Sequence, residues 1–440
     1  MTKNILILGA GKSSIRLIKY LSDLSNKFDI KIIVAALDVS YFKNNLFKNI
    51  FPTVLDINDS DKLIQTIESS FIVVSMLPAF LHYKIAELCS FKGKNLITAS
   101  YLTPAIKKLE SEFLKKNCFL LMEMGLDPGM DHMSAISIID KYKKDYKIKS
   151  FESYTGGLLK PNDSVNPWQY KFTWNPRNVI LAGKEGATYL KNNKKIILSY
   201  NEIFQNINLI EIPGLGTFEG YANRDSIKYR DIYKIDDVNT LIRGTLRNKG
   251  FCSSWDIILK LGLTDSKNYL NDVFNMSHES FSTSKIYNKK TQNIKSVISN
   301  HYNKNIISEE IKLLDWLGLF SSEEIGLKKG TYAEILEHIL KKKWTMKKND
   351  IDRVVMFHRF KFIKNEKKKT LTSFFHIDGN NNIDTAMAKS VGLPIGIFIK
   401  QVLLGKISLS GIKLPTSPTI YEPVLRELKK FNIIFKELIY

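Results

Sequence analysis

The chain is short of cysteine, of acidic side chains and of long apolar runs, and each shortage closes off a class of protein. Its three cysteines, Cys89, Cys118 and Cys252, lie far apart without a Cys-x-x-Cys spacing. That leaves neither a disulfide framework nor a zinc site, so no metal is expected, and a reducing cytoplasm fits best. The longest apolar stretch near the C-terminal end, Val391 to Gly405, is broken by Pro394, Lys400 and Gln401 and falls short of a membrane span. The apolar start Ile5 to Leu8 is too short for a signal segment. Acidic residues number 44 against 65 lysines and arginines, a net charge of +21. Such a balance can serve phosphate covering. The lysines are scattered, however, with small clusters at Lys341 to Lys343 and Lys367 to Lys369, and no nucleic-acid motif accompanies them. Nucleic acid is therefore not an expected partner, and attraction of an anionic small molecule is the better use of the field. Internal repeats and coiled-coil heptads are also missing, which leaves oligomeric state, a homodimer included, open.

What is present is a globular composition, 44% hydrophobic and 25% charged over 440 residues, enough for two or three domains. Strand-like Ile5 to Leu8, Ile30 to Ala36, Ile72 to Met76 and Asn95 to Thr98 alternate with helix-like Ser13 to Leu24, Ser60 to Glu68 and Leu81 to Phe91. Short β-branched runs alternating with amphipathic helices predict a parallel sheet covered on both faces. From Ile148 longer strand-like runs take over, residues 252–344 are mainly helical, and Val354 to Phe362 with Thr370 to His376 predict a hairpin. The expected fold is α/β. A Rossmann-type dinucleotide-binding domain spans 1–125, with 385–440 returning to it. An α/β substrate domain spans 126–251 and 345–384, with a helical insertion at 252–344.

Gly9-Ala10-Gly11-Lys12-Ser13-Ser14 follows a predicted strand and opens a predicted helix, the context that gives a GxGxxG-like loop its meaning. Gly9 permits the tight turn, Gly11 lets the backbone approach a pyrophosphate, and Ser14 stands where a third glycine is usual. The helix N-terminus offers free amides and a positive dipole end to the phosphates. Asp38 ends the second strand without an arginine beside it, the pattern for ribose hydroxyls, although a helix cap or turn would equally use a carboxylate there.

The most specific signal runs from Ser75-Met76-Leu77-Pro78-Ala79-Phe80-Leu81-His82 through Thr98-Ala99-Ser100-Tyr101 to Glu123-Met124-Gly125-Leu126-Asp127-Pro128-Gly129-Met130-Asp131-His132. Ser153-Tyr154-Thr155-Gly156-Gly157-Leu158, Tyr170 to Arg177, Gly220 to Ser226, Arg243-Gly244-Thr245-Leu246-Arg247, Ala388 to Pro394 and Ile420 to Leu425 follow in order. With these blocks the chain resembles the saccharopine reductases, the glutamate-forming saccharopine dehydrogenases, over nearly its whole length. The resemblance implies an NAD(P)-dependent oxidoreductase of the aminoadipate route of lysine metabolism, acting on a CH–NH bond. It would interconvert saccharopine with glutamate and α-aminoadipate semialdehyde, using NADP(H) or NAD(H). It further implies cofactor contacts at Gly9, Gly11, Lys12, Ser13, Ser14, Asp38, Asp56, Ile57, Met76, Leu77, Ser100, Leu126, Asp127, Pro128 and Asn175. Substrate contacts are implied at Ser100, Tyr101, Asp127, Arg224, Thr245, Leu246 and Arg247. Fungal members carry a cysteine where this chain has Thr155, so a thiol proton shuttle is excluded here.

Saccharopine carries three carboxylates around a secondary amine, and arginine's planar fork matches carboxylates with paired hydrogen bonds. Arg224 and Arg247 suit that role, with surface or interdomain ion pairing as the alternative. Imine chemistry needs a group that trades protons near neutral pH. Asp127 is the first candidate and Tyr101 the second, against an Asx-turn aspartate and a packed tyrosine. A carboxynorspermidine-type dehydrogenase would need an acidic pocket for a cationic tail. A silent dinucleotide-binding scaffold would need only the first loop.

Overall fold

The computed structural model describes residues 2–44, 47–161, 166–286, 294–302 and 308–440. The chain divides into one unit of Met1–Tyr146 with Phe375–Lys436 and a second of Lys147–Phe374 with Glu437–Tyr440.

The first unit is built on six strands from the N-terminal part, β1 (Lys3–Leu8), β2 (Ile30–Ala36), β3 (Ile50–Val54), β4 (Ile72–Ser75), β5 (Asn95–Thr98) and β6 (Phe119–Leu121). They form a parallel sheet in the order Gly411–Lys413, β6, β5, β4, β1, β2, β3. Ile5, Leu6, Ile7, Val73 and Val74 are wholly buried, as the central strands of a sheet covered on both faces must be. β1 lies where the strand order reverses, and the crevice outside the carboxyl ends at such a point is where open α/β sheets bind ligands. β3 was not evident from sequence because it carries Pro52, which an edge strand tolerates since its outer N–H side needs no partner.

Helix Ala386–Leu403 packs on helix Ile15–Phe28 at two glycines. A Cβ on Gly392 would lie 2.7 Å from the Leu17 nitrogen, and one on Gly396 would lie 2.6 Å from the Tyr20 ring. Beginning at Ala386, this helix starts ahead of the apolar stretch at Val391, with Thr385 as its cap. By length and mean hydropathy (18 residues, 1.3) it could cross a membrane, but 78% of it is buried inside the protein. Helix Met130–Tyr142 also belongs to the first unit, held by the hydrogen bond that the Tyr421 hydroxyl donates to Asp140 at 2.7 Å, so this unit runs to Tyr146.

The second unit opens with β7 (Lys147–Leu159), followed by β8 (Ala187–Lys191), β9 (Lys194–Leu198), β10 (Ile207–Ile212), β11 (Gly216–Ala222), β12 (Arg224–Asp225) and β13 (Thr240–Arg247). Next come β14 (Tyr269–Asn271) and β15 (Lys329–Thr331), which pair with each other, then β16 (Asp352–Lys364) and β17 (Lys367–Asp378). After β18 (Gly411–Lys413) of the first sheet the chain ends in β19 (Lys436–Ile439). The main path of this ten-stranded mixed sheet is β10, β11, β13, β7, β16, β17, β19. Asn365 and Glu366, both at positive φ, make the tight turn between β16 and β17. Between β13 and β16 the chain is mainly helical, with Phe251–Lys260 and Tyr332–Trp344 as the longest helices.

Three of the recognisable sequence blocks interlock here. The buried Tyr154 ring on β7 occupies the space that side chains on Gly220 and Gly244 would fill, and Leu246 of β13 lies against Gly156 of β7. A Cβ on Gly244 would stand 2.4 Å from the Tyr221 carbonyl oxygen and 2.6 Å from the Tyr154 ring, whereas one on Gly11 would meet nothing within 4 Å. We therefore expect Gly244→Ala to lower stability in chemical denaturation by about 1–3 kcal/mol. Gly11→Ala should change it by less than about 0.5 kcal/mol.

Candidate active site

At the carboxyl end of β1 the backbone turns through Gly9, whose φ of 106° and whose Cβ position, 2.9 Å from the Met76 carbonyl oxygen, admit only glycine. Gly11 is exposed, and the open space above it suits a diphosphate approaching the backbone. Lys12–Ser14 form a single 3₁₀ turn that leads into helix Ile15–Phe28, with Ser14 buried and its hydroxyl on the Gly11 carbonyl at 2.7 Å. The first amides of a helix have no partner inside it, so this end is ready to meet phosphate oxygens. Met76 and Leu77 follow β4, half-buried, and Asp56 and Ile57 follow β3. Exposed Asp38, just past β2, accepts the Ser40 amide at 2.8 Å, and that backbone hydrogen bond holds its carboxyl below the usual range. The loop residues proposed from sequence thus gather along the carboxyl edge of one parallel sheet.

Beyond β5 and β6 the half-buried Tyr101 donates its hydroxyl proton to Asp127 Oδ1 at 2.8 Å, so the two candidates for proton transfer are hydrogen-bonded to each other. Their positions follow from a buried cluster that sequence reasoning did not assign to the site. The Glu123 amide donates to the Ser100 carbonyl at 3.0 Å, and Glu123 Oε1 accepts the Leu102 amide at 2.9 Å. Glu123 therefore holds the residues on both sides of Tyr101. Its Oε2 meets His132 Nε2 at 2.8 Å, and the neighbouring Asp131 accepts the Gly129 amide at 2.6 Å. Gly129, at φ 145°, lies so close to Gly125 that a Cβ would be 2.2 Å from its carbonyl oxygen. The turn Gly125 to Gly129, with Leu126 and Pro128 buried, is closed by the Gly125 amide on the Pro128 carbonyl at 2.9 Å. A second group outside the expected set is His82, whose ring nitrogens stand 2.9 Å from Ser75 Oγ and 2.6 Å from Ser100 Oγ.

In the second unit Thr245, Leu246 and Arg247 are consecutive at the end of β13. Arg247 is buried, its guanidinium carbon 5.0 Å from the ring centres of both Tyr170 and Phe251 and 5.8 Å from that of Tyr221. Nη1 donates to the Leu246 carbonyl at 2.9 Å, while the buried Nε has no acceptor among the described residues. A buried guanidinium with unused donors is costly unless an anion completes it. Arg224, at φ 57°, is exposed and pairs with Glu185 at 2.7 Å. Asn175, also exposed, caps helix Pro176–Ile180 through the Arg177 amide at 2.9 Å. Thr155, buried on β7, is paired in register with Thr245, and its hydroxyl has no partner among the described residues.

Residues 5–121 match the saccharopine dehydrogenase NADP binding domain, and residues 125–434 match the saccharopine dehydrogenase C-terminal domain. Saccharopine dehydrogenase (NADP(+), L-glutamate-forming) of Saccharomyces cerevisiae is 32% identical over 453 residues, covering 99% of each chain. The mitochondrial alpha-aminoadipic semialdehyde synthase of Rattus norvegicus is 33% identical over 457 residues, covering 98% of this chain and 47% of that protein. The chain thus spans about half the length of the curated mammalian relatives it matches. The apo structure of the histidine-tagged yeast saccharopine dehydrogenase (L-Glu forming) superposes with a TM-score of 0.86 at 31% identity, covering 100% of both chains.

The Glu123 cluster makes its own prediction. Glu123→Ala strands the buried His132 ring and the Leu102 amide together, and we expect a loss of about 3–5 kcal/mol in chemical denaturation. A loss under about 1 kcal/mol, within the range of an ordinary hydrogen bond, would deny the cluster its structural role.

Proposed function

The chain belongs to the saccharopine dehydrogenase family, and from that membership we propose that it interconverts saccharopine with glutamate and α-aminoadipate semialdehyde in lysine metabolism. The observation that carries the reading is Arg247, a buried guanidinium whose Nε lacks an acceptor among the described residues. It suits a carboxylate and opposes a cationic polyamine precursor. Arg224 adds a second cation, since a surface pair such as that with Glu185 is weak enough to be exchanged for a substrate carboxylate. Thr245 and Leu246 supply the neighbouring backbone of this cradle.

A nicotinamide dinucleotide fits the open space over Gly11 and the helix end behind it, with Gly9, Lys12, Ser13, Ser14, Asp56, Ile57, Met76, Leu77, Leu126, Pro128 and Asn175 as proposed contacts. When bound, it accepts or returns the hydride at the aminoadipate-side carbon of the secondary amine. The fungal relatives are named for NADP(+); Asp38 is the group here that opposes a 2′-phosphate, and its engagement with Ser40 leaves it a turn residue as much as a ribose ligand. In the oxidative direction the iminium left by hydride loss takes up water, the carbinolamine's hydroxyl gives up its proton as the C–N bond breaks, and the aldehyde and glutamate separate. Asp127 takes the proton from the attacking water and returns one to the leaving nitrogen. Tyr101, donating to Oδ1, fixes the plane of that carboxylate, and Ser100 beside it contacts the substrate. The proposed setting is a reducing compartment, in line with cysteines that are all buried and free; cytoplasm is our choice for this chain, although the mammalian relatives are named mitochondrial.

Saccharopine isotopically labelled in its glutamate portion tests the reading. Labelled glutamate is the expected product, and label recovered only as a 2-oxo acid would mean that the C–N bond on the other side of the nitrogen is cut. Asp127→Asn should keep fold and cofactor affinity while kcat falls by about 10²- to 10⁴-fold. Arg224→Met or Arg247→Met should raise KM for saccharopine by about tenfold or more. Near-normal kcat for the first and unchanged KM for both others would remove these residues from the chemistry.

A further inference from the structure

His82 begins helix His82–Lys92, and its ring is buried, 3% exposed, among Ser75 of β4, Thr98 of β5 and Ser100. Burial pushes its pKa down to about 4, so near neutral pH the imidazole carries one proton and one lone pair. The side chains around it decide which nitrogen holds the proton. Ser75, 1% exposed, has a hydroxyl whose one partner among the described residues is His82 Nδ1 at 2.9 Å. A buried hydroxyl proton without an acceptor is costly. Ser75 therefore donates to Nδ1, and the ring proton sits on Nε2. That N–H is aimed at Ser100 Oγ, 2.6 Å away, while Thr98 Oγ1 at 3.4 Å is too distant for a good bond.

Ser100 Oγ is then an acceptor towards the protein, and its own proton is turned away from the ring on a half-buried residue next to Tyr101. We propose that His82 is a positioning residue that holds the Ser100 hydroxyl as a hydrogen-bond donor for a carboxylate of the substrate. A hydroxyl held this way favours an anion and disfavours an ammonium, so the Ser75–His82–Ser100 chain is a selectivity element of the first unit. The inference takes only the identity of the ligand from the functional reading.

Nitrogen NMR of the full chain labelled in its seven histidines reads the tautomer directly, with the His82 signals assigned by their loss in His82→Gln. The expected result is a neutral ring protonated on Nε2. A ring protonated on Nδ1, or a doubly protonated ring near neutral pH, overturns the proposal. In kinetics, Ser100→Ala and His82→Leu should each raise KM for saccharopine by about tenfold, with kcat changing far less. The double variant should be no worse than either single one, because both remove the same bond. An unchanged KM in Ser100→Ala, or additive losses in the double variant, also overturns it. Since the tautomer is read without substrate, failure of this proposal and failure of the functional reading are distinguishable.

Discussion

The carboxylate of Glu123 is the joint on which the first unit's site depends. It is 1% exposed, and it meets the Leu102 amide and the His132 ring while its own amide meets the Ser100 carbonyl. A buried carboxylate is expensive to desolvate and tolerable only when its lone pairs are used. That requirement fixes the segment Ser100 to Leu102 against the first turn of helix Met130–Tyr142. Asp131 ties the same turn back to Gly129, so Asp127 is held from behind as Tyr101 is. Their 2.8 Å hydrogen bond is thus a consequence of buried polar pairing two residues deep, and preorganisation of this kind is what the proposed proton transfer would need.

Much of this could be read in the sequence, for reasons that differ by region. The central strands of the first sheet are near-continuous β-branched runs, so periodicity identified β1, β2, β4 and β5. The glycine loop declared itself by standing between a strand and a helix. The edge strands were harder: β3 contains a proline, and β18 has three residues, too few to carry a pattern. The strands β8 to β11 interrupt a stretch rich in polar residues, and their hydrophobic alternation is weak because Ile197 and Leu209 face solvent. At the site, Asp127 and Tyr101 were legible singly through their blocks, but their bond joins positions 26 apart in the chain. Glu123, His132 and His82 sat inside quoted blocks, yet nothing in their spacing says that they are buried and mutually bonded. Only the register of β5 and β6 and the path of the turn bring them together.

The second unit solves a different problem. Its blocks interlock through glycines, with Tyr154 over Gly220 and Gly244 and Leu246 against Gly156, and this packing carries Arg247 into an aromatic surround at the end of β13. Aromatic faces and one backbone carbonyl offset part of the cost of that charge. The remaining donor at Nε makes the position receptive to an anion, and the chain's excess of positive charge favours the approach of one. Ser100, oriented through His82, would express the same preference in the first unit with a neutral hydroxyl.

The preference for a carboxylate-rich amine over a polycationic one is therefore the claim most open to direct measurement. With oxidised dinucleotide in excess, kcat/KM can be determined in parallel for saccharopine and for carboxynorspermidine by the absorbance of the reduced nicotinamide. The expected result is preference for saccharopine by about 10⁴-fold, the scale on which buried polar groups left unmatched reject a substrate. Comparable values for the two, or a preference for the polyamine precursor, would contradict it.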